Sequence, residues 1–417
     1  MTKKLFTFFL ILTWTLPAVA APTQMRTWTD TRGRQVTARA LSVSNGRVVL
    51  ERPHGATLTV PFANLSAQDQ NYLRRHFAQK TEKPPFPVGQ TTDEIRTRKH
   101  PQWSYFLYLP KNFDMNRQWP VLCAMGPTGG VKKGLDRYIP GAELNGWVLV
   151  MSVQSKNKYD RNAEAVIAAL DDVREQLPID KNRIYASGFS GGARVAFDIP
   201  AEIKGARVAG ILPSGAGGYP REFSSKVIIY GLCGTHGYNR WDMACTMEET
   251  KNKDSRLVFF LGGHTWAPCP YLTDGMTYLN GCYLKKARAS DAALIAERNQ
   301  FTHKLLDLIE QRLDSKPEWA YEWALFLSDF PGPLTTVNNA RRHLDALLKQ
   351  PRIQLYKEAL ADMDRFVKKH FTTDRRAHHT ANGTPEAKRD ADALVEKYKD
   401  TILVNHFRKM GERSVMP

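Results

Sequence analysis

The sequence predicts an α/β fold with a doubly wound, mostly parallel sheet, placed between a small β-rich module and a helical C-terminal region. Short apolar runs alternate with segments of helical spacing over residues 96–289, as in successive βαβ units. Two strand-like runs before this region flank Asn45-Gly46, and from residue 290 onward the apolar residues recur at helical spacing. These three patterns divide the chain into three folded parts.

The first 20 residues have the organisation of a secretory signal peptide. Lys3 and Lys4 precede an apolar run from Leu5 to Leu16, and Ala18-Val19-Ala20 offers small side chains at a cleavage site. The run is short for a spanning helix, and no later stretch is long and apolar enough to cross a bilayer. We therefore expect an exported protein, periplasmic or extracellular, without a membrane span after cleavage.

Residues 24–78 predict a small β-barrel-like module. Asn45-Gly46 between two strand-like runs favours a hairpin, because both residues accept a positive φ. Ser66 is expected to cap a short helix from Ala67 to about Arg75, with Asp69 in its first turn.

The order of motifs in this module is fairly specific. It runs through Arg26-Thr27-Trp28-Thr29-Asp30, Gly33-Arg34, the Asn45-Gly46 turn and Val60-Pro61-Phe62-Ala63-Asn64-Leu65-Ser66. It resembles the SLA-homology type-one domain, an SH3-like module often fused to exported bacterial enzymes. The resemblance implies that the module binds a peptide or protein partner; the alternative is a β domain that only flanks the next one.

A proline-rich linker is expected at residues 79–95, before the central α/β region. The central region of residues 96–289 contains one long predicted helix, Arg161–Leu177. Its predicted strands are Trp103–Pro110, Trp119–Met125, Gly146–Val153, Arg183–Ser187, Val208–Leu212, Lys226–Leu232 and Arg256–Leu261. In the helical region of residues 290–417 the predicted helices are Phe301–Leu313, Pro317–Leu327, Val337–Leu348, Gln354–Phe371 and Pro385–Phe407.

The most informative motif is Gly188-Phe189-Ser190-Gly191-Gly192. It lies between the predicted strand Arg183–Ser187 and a helix-forming segment, which is the context of a nucleophile elbow. Such a turn leaves no room for Cβ atoms beside the serine, exposes its Oγ, and directs the following N–H at the substrate oxygen. We therefore expect Ser190 to be a nucleophile; an ordinary glycine–serine turn is the alternative.

A serine nucleophile needs a base and an oxyanion hole. His264, on a glycine-flanked loop after the last predicted strand, is the candidate base, and His236 is its competitor. Gly191 would supply one N–H to the oxyanion. Thr128 or Gly129, after the strand Trp119–Met125, would supply the other, because Pro127 has no N–H.

Together these residues resemble the secreted α/β-hydrolases of the polyhydroxybutyrate depolymerase and feruloyl esterase group. The matching motifs are Tyr108-Leu109-Pro110, Pro127-Thr128-Gly129-Gly130, Asp180 before Arg183-Ile184-Tyr185, Gly188–Gly192, and Gly262-Gly263-His264 with Trp266. The resemblance covers roughly residues 97–282. It implies an α/β-hydrolase fold, ester hydrolysis, Ser190 as nucleophile and His264 as base.

The chain departs from this group at the catalytic acid. Relatives place an aspartate about three residues past a glycine in the loop after the next-to-last strand, where this chain has Gly237. The carboxylate orients the imidazole and stabilises its protonated form. Asp242 could take this role, Asn239 could orient the ring without charge, or the acid is missing.

Charge and cysteines constrain the remaining functions. The formal net charge of +17 is spread along the chain, which is typical of a basic surface and also suits an acidic substrate; no nucleic-acid motif is present. Five cysteines include Cys123 in an apolar run, expected as a buried free thiol, while some of the other four are expected to pair in an exported protein.

Two functions remain open. The first is a serine esterase that acts on extracellular polysaccharide-linked or similar esters and needs no cofactor or metal. The second is a catalytically weak hydrolase fold used for binding, which Gly237 and the N-terminal module favour.

Overall fold

The computed structural model describes residues 22–44, 46–77, 83–218, 225–371 and 384–412. The chain forms two compact units, which divide between Glu82 and Lys83. The expected signal peptide and Asn45 of the expected hairpin lie outside the described residues.

The first unit is a four-stranded antiparallel sheet followed by a helix. Its strands pair in the order β1-β2-β3-β4, and the partners Ser44 and Arg47 close the hairpin where the sequence predicted it. Ser66 Oγ accepts a hydrogen bond from Asp69 N and begins helix α1, as predicted. The elements are β1 (Arg26–Thr29), β2 (Gln35–Ser44), β3 (Arg47–Glu51), β4 (Thr57–Pro61) and α1 (Ala67–His76).

Trp28 lies at the centre of the core of this unit. Its indole Nε1 donates to Ala38 O at 2.8 Å, so the polar end of a fully buried ring is satisfied. Asp69 is also buried and ties β1 to α1, because its carboxylate accepts from Arg26 and from the backbone N of Thr29. The unit thus has its own apolar core and a buried ionic contact.

The second unit contains an eight-stranded sheet in the order β12-β11-β10-β9-β7-β8-β6-β5. The six strands β7 to β12 are parallel to their neighbours among themselves, whereas β6 is antiparallel to both β5 and β8. This is the strand order of the α/β-hydrolase fold. The strands are β5 (Ile95–Arg96), β6 (Ser104–Tyr108), β7 (Trp119–Met125), β8 (Val148–Ser152), β9 (Ile179–Phe189), β10 (Val208–Ser214), β11 (Ile228–Gly234) and β12 (Arg256–Phe260).

Helices cover both faces of this sheet, so its central strands are buried throughout. Successive residues of β7 enter different cores: Leu122 and Ala124 pack with one set of helices, whereas Val121 and Cys123 pack with another. Helices α4 and α5 contribute to the second core, while α3, α6 and α7 contribute to the first. The helices of this region are α2 (Lys132–Asp136), α3 (Ile139–Asn145), α4 (Asn162–Gln176), α5 (Gly191–Glu202), α6 (Arg240–Glu249) and α7 (Cys269–Leu284).

The C-terminal helices belong to the same unit as the sheet. Phe301, Ile353 and Phe407 lie in one apolar cluster with Leu122 of β7. These helices are α8 (Ala292–Glu310), α9 (Pro317–Ser328), α10 (Leu334–Leu348), α11 (Pro351–Phe371), α12 (Pro385–Lys397) and α13 (Val404–Gly411).

Two helices predicted in this region are wrong in extent. The helix predicted at Phe301–Leu313 begins at Ala292 and ends at Glu310. The segment Pro385–Phe407 is not continuous, because the chain turns at Tyr398–Thr401, where Thr401 N and Oγ1 both donate to Tyr398 O. Its start is as predicted: Thr384 caps the helix by accepting from Ala387 N at 3.1 Å, and Pro385 occupies the first turn.

The expected pairing of cysteines is also wrong. All five cysteines, each within the described residues, are free thiols. Cys123, Cys233 and Cys245 lie on β7, β11 and α6. Cys269 and Cys282 share α7 but stand near its opposite ends, about 20 Å apart at the helical rise of about 1.5 Å per residue. Cys123 is buried in β7 as predicted, and its burial raises its pKa to about 12.

Among the described residues, no helix combines the length and the apolar character needed to cross a membrane.

Candidate active site

Ser190 stands on a sharp turn between strand β9 and helix α5. Its backbone has φ 55° and ψ −118°, a conformation that is strained for a residue with a side chain and that is concentrated at functional sites. A backbone hydrogen bond fixes the turn to the neighbouring strand β10, because Ser190 N donates to Ser214 O at 2.9 Å. The strand–turn–helix geometry of a nucleophile elbow is therefore present.

The glycines around Ser190 are required by close backbone approach. A Cβ on Gly188 would lie 2.5 Å from the carbonyl carbon of Gly192, and a Cβ on Gly192 would overlap the carbonyl oxygen of Met125 at the end of β7. A Cβ on Gly191 would overlap Oδ1 of Asn157. Three different groups thus pack against this turn where side chains would otherwise be.

His264 faces Ser190 from the loop that follows β12. Its Nε2 lies 2.9 Å from Ser190 Oγ, which is hydrogen-bond distance for a nucleophile and its base. The ring lies next to two aromatic side chains: the ring centroid of Phe189 is 4.8 Å away and that of Tyr238 is 4.1 Å away. For Nε2 to accept the serine proton, the ring proton must reside on Nδ1.

Among the described residues, no acid lies beside the other ring nitrogen of His264. Nδ1 is buried and has no hydrogen-bond partner in the described part of the chain. The group facing it is Gly215, on which a Cβ would lie 3.4 Å from Nδ1. Burial, together with the positive charge of Arg194, lowers the pKa of His264 to about 4. The imidazole is therefore neutral at physiological pH, but it is a weak base.

The carboxylate of Asp242 contacts groups other than His264 in this structure. It lies in the first turn of α6, where its Oδ2 accepts from Gly217 N at 3.0 Å and lies 3.2 Å from Arg194 Nη2. No contact joins it to His264 among the described residues. Asn239, the uncharged alternative, is buried at the N-cap of the same helix and likewise makes no described hydrogen bond to the imidazole.

Gly237 occupies a tight turn after β11. Its N–H donates to Gly234 O at 3.0 Å, and a Cβ there would lie 3.3 Å from the carbonyl oxygen of Gly263. This position therefore borders the residue that precedes His264, without carrying a side chain. His236, the competing base, packs its ring against Gly263 and has a buried Nδ1 without a described partner; burial lowers its pKa.

The predicted oxyanion donors come from two elements that meet beside Ser190. Gly191 begins α5, whose N-terminal N–H groups favour negative charge. The loop after β7 approaches the same turn, since a Cβ on Gly192 would lie 2.9 Å from Gly126 N. In that loop Thr128 forms an antiparallel bridge with Lys156, and Gly129 has φ +98°, which favours glycine.

Sequence reasoning missed the residues that surround the Ser190–His264 pair. Tyr238 and Phe189 hold the imidazole, Gly215 faces its buried nitrogen, and Asn157 covers Gly191. Phe189 and Tyr238 lie next to Ser190 and Gly237 in the sequence, which was the only signal for them. Nothing in the local sequence marks Gly215 or Asn157, because their role depends on contacts between different loops.

Among the described residues, no group of three or more His, Cys, Asp or Glu side chains is arranged to hold a metal ion.

Comparisons with known proteins agree with the division into two units. Residues 18–81 match the family model described as SLA1 homology domain 1, SHD1. No curated protein matched the chain.

Several solved esterases and hydrolases are similar to part of the chain. An esterase from Pyrobaculum calidifontis is 13% identical over 51% of this chain and 91% of that one, with a TM-score of 0.39. An S-formylglutathione hydrolase from Staphylococcus aureus is 11% identical over 47% and 98%, with a TM-score of 0.38. A thermostable esterase is 14% identical over 46% of this chain, which spans 60% of that protein, with a TM-score of 0.33.

The assignment of the fold depends on the order of the eight strands and on the turn at Ser190. The chain joins an SLA1 homology domain 1 at residues 18–81 to a domain with the α/β-hydrolase fold.

Proposed function

We propose that this protein is an exported serine hydrolase that cleaves carboxylic esters, with Ser190 as nucleophile and His264 as base. The observation that carries the proposal is the 2.9 Å contact between Ser190 Oγ and His264 Nε2, made by a serine at positive φ on a strand–helix turn. Polysaccharide-linked esters and related extracellular esters are the substrate class that follows from the family resemblance and from the expected export.

The reaction would proceed in two halves. Ser190 Oγ attacks the acyl carbon while His264 Nε2 takes the hydroxyl proton, and the negative charge collects on the carbonyl oxygen. The N–H of Gly191 and that of Thr128 or Gly129 would hold this oxygen. His264 then returns the proton to the departing alcohol. Water repeats the sequence on the acyl-enzyme, releasing the acid and restoring Ser190.

The lack of a carboxylate beside His264 in the described part of the chain sets an expectation for the rate. In serine proteases, replacing the triad aspartate lowers kcat by about 10⁴-fold, yet the oxyanion hole and binding alone retain about 10³–10⁴-fold catalysis over water. A Ser190–His264 pair with an unpartnered Nδ1 should therefore turn over slowly. It should still react with an acylating or phosphonylating reagent.

The second candidate is a hydrolase fold used for binding. The unpartnered Nδ1 of His264 favours it, and so does the fusion to an SLA1 homology domain 1, for which we propose a peptide or protein partner. In this case Ser190 would not react with serine-directed reagents.

Fluorophosphonate labelling tests the enzyme proposal. Wild-type protein, Ser190→Ala and His264→Ala are compared, with Ser290→Ala and His54→Ala as matched controls, since both of these residues are exposed and outside the site. Labelling that requires Ser190 and His264 but neither control residue would support a working pair. If folded wild-type protein does not label, the binding function replaces the enzyme.

Export is tested separately on the mature protein. N-terminal sequencing after expression in a Gram-negative host should find a chain that starts near Ala21. A cell-associated chain that retains Met1 would contradict the proposed export.

A further inference from the structure

The segment Lys156–Lys158 is fastened to both halves of the proposed oxyanion hole. Asn157 N donates to Pro127 O at 2.8 Å, and Lys156 pairs with Thr128 in an antiparallel bridge. On the other side, Oδ1 of Asn157 fills the space where a Cβ of Gly191 would be. This segment therefore packs against both the turn that carries Ser190 and the loop that carries Thr128.

The backbone of the segment is strained. Lys158 has φ 62°, and Ser190 is the other non-glycine residue with a positive φ in the described part of the chain. Lysine gains nothing locally from the left-handed region, unlike asparagine or aspartate. Strain of this kind persists where the surrounding structure holds a functional arrangement, and here it lies beside the nucleophile.

The segment is also cationic and open to solvent. Lys156 and Lys158 are exposed, and in the described structure no carboxylate forms an ion pair with either ammonium group. Asp160 is the nearest acid along the chain. Two arginines lie near the same site. Arg137 is 5.8 Å from the ring of Trp266, which packs on Phe189. Arg194 forms an ion pair with Asp242, and its positive charge lowers the pKa of His264.

Apolar surface accompanies these charges. Val131 follows the oxyanion loop, Leu261 precedes the loop of His264, and both are about half exposed. A surface near Ser190 with exposed aliphatic side chains, and with lysines that form no ion pair in the described structure, fits a ligand that is partly apolar and carries a negative charge.

We propose that Lys156 and Lys158 bind a carboxylate on the substrate, so that the preferred substrates are esters whose acyl or alcohol part bears a carboxylate. Asn157 holds the two lysines against the elbow through its contact with Gly191. This proposal rests on the proposed esterase function and names the substrate class of the same site. Lysine suits the role, because its flexible four-carbon stem carries a compact charge to an acid of variable position.

A pair of substrates that differ in one charge tests the proposal. Mono-4-nitrophenyl succinate carries a free carboxylate, and its methyl ester is the neutral analogue of nearly equal size; release of nitrophenolate gives kcat/KM for both. We expect wild-type protein to prefer the anionic ester by about ten-fold at low salt, with the preference falling as ionic strength rises. In Lys156→Gln/Lys158→Gln the ratio should fall to about one.

A matched double variant separates local from overall charge. Lys204→Gln/Lys253→Gln removes two exposed lysines that precede β10 and β12. They lie at the N-terminal ends of the parallel strands, whereas Ser190 lies at the C-terminal end, so this variant should keep the wild-type ratio. Asn157→Asp, which places a negative charge between the two lysines, should reverse the preference. Fluorophosphonate labelling of each variant shows that its site is folded.

The outcomes distinguish this proposal from the one on which it rests. Labelling and hydrolysis of both esters with equal kcat/KM would overturn the carboxylate site and leave the esterase standing. Equal loss of preference in the two double variants would also overturn it, since the effect would then be one of net charge. Failure of wild-type protein to label or to hydrolyse either ester would overturn both proposals together.

Discussion

The ring of Tyr238 lies 4.1 Å from the imidazole of His264, at an angle of 43°. Tyr238 directly follows Gly237, the position at which the resembling hydrolases carry their catalytic aspartate. The chain therefore places an aromatic ring beside the histidine from the loop that would otherwise supply a carboxylate. When His264 takes the proton of Ser190 it becomes a cation, and an aromatic face stabilises a nearby cation by about 0.5 to 2 kcal/mol.

Removing this ring should slow the reaction. We expect Tyr238→Leu to lower kcat by about two- to thirty-fold, the range that corresponds to the loss of one cation–π contact, while Tyr238→Phe retains most of it. If the role of Tyr238 were purely structural, the substitution would instead lower the stability of the fold and raise KM. The measurements are kcat and KM for the three proteins, with thermal unfolding as the check on folding; equal kcat values would contradict the idea.

The acid limb of the pH profile reports the state of His264. Only the neutral imidazole can accept the serine proton, and burial lowers its pKa to about 4. Activity should therefore persist as pH falls from 7 towards 5 and disappear as pH falls through about 4. A triad with a carboxylate would instead lose activity near the ordinary histidine pKa of about 6.5 or above it. The measurement is the rate of fluorophosphonate labelling between pH 3.5 and 8, and a midpoint above 6 would show that an acid reaches Nδ1.

Much of the fold could be predicted from the sequence because its signals are local. The alternation of strands and helices, the turn at Ser190 and the proline start of α12 each depend on a few neighbouring residues. Helix α7 (Cys269–Leu284) gave no such signal, since glycines at 275 and 281 interrupt its pattern. The structure shows that both glycines lie against large rings, Tyr230 and Phe326 respectively, so tertiary packing overrides propensity there.

The candidate site could be predicted only in part, for the same reason. Ser190 and His264 are marked by glycine-rich turns after strands, which any chain of this fold needs at those places. Whether a carboxylate reaches Nδ1 of His264 depends on where three separate loops meet. No local pattern in the sequence indicates how those loops pack. Asp242 looked suitable by spacing, but the helix that carries it directs its carboxylate to Gly217 and Arg194.

The contact between Gly192 and Met125 makes a separate prediction on stability. A methyl group at Gly192 would meet the backbone oxygen of Met125, and backbone cannot yield as a flexible side chain can. We expect Gly192→Ala to lower the free energy of unfolding by about 1–3 kcal/mol and to abolish labelling of Ser190. Gly263→Ala is the matched control, because its Cβ would make only ordinary contacts with His236. Urea unfolding of both variants measures the difference, and equal stabilities would contradict the steric argument.

Restoring an acid at position 237 should strengthen the base. A Cβ on Gly237 would lie 3.3 Å from Gly263 O and 3.4 Å from Gly234 O. The backbone of the turn must therefore shift by a few tenths of an ångström to accommodate a side chain. A carboxylate near His264 favours the protonated ring, because opposite charges attract more strongly in a partly buried site. We expect Gly237→Asp to raise kcat by about ten-fold and to move the acid limb of the pH profile upward from about pH 4.

Gly237→Asn separates charge from shape in this experiment. It has nearly the same size and the same steric demand on the turn, but it cannot stabilise an imidazolium by charge. Its acid limb should therefore stay where the wild-type limb lies, and its kcat should stay at or below the wild-type value. If aspartate and asparagine give the same profile, the loop does not bring position 237 to Nδ1. The slow rate expected of the wild-type pair would then need a cause other than the lack of a carboxylate at position 237.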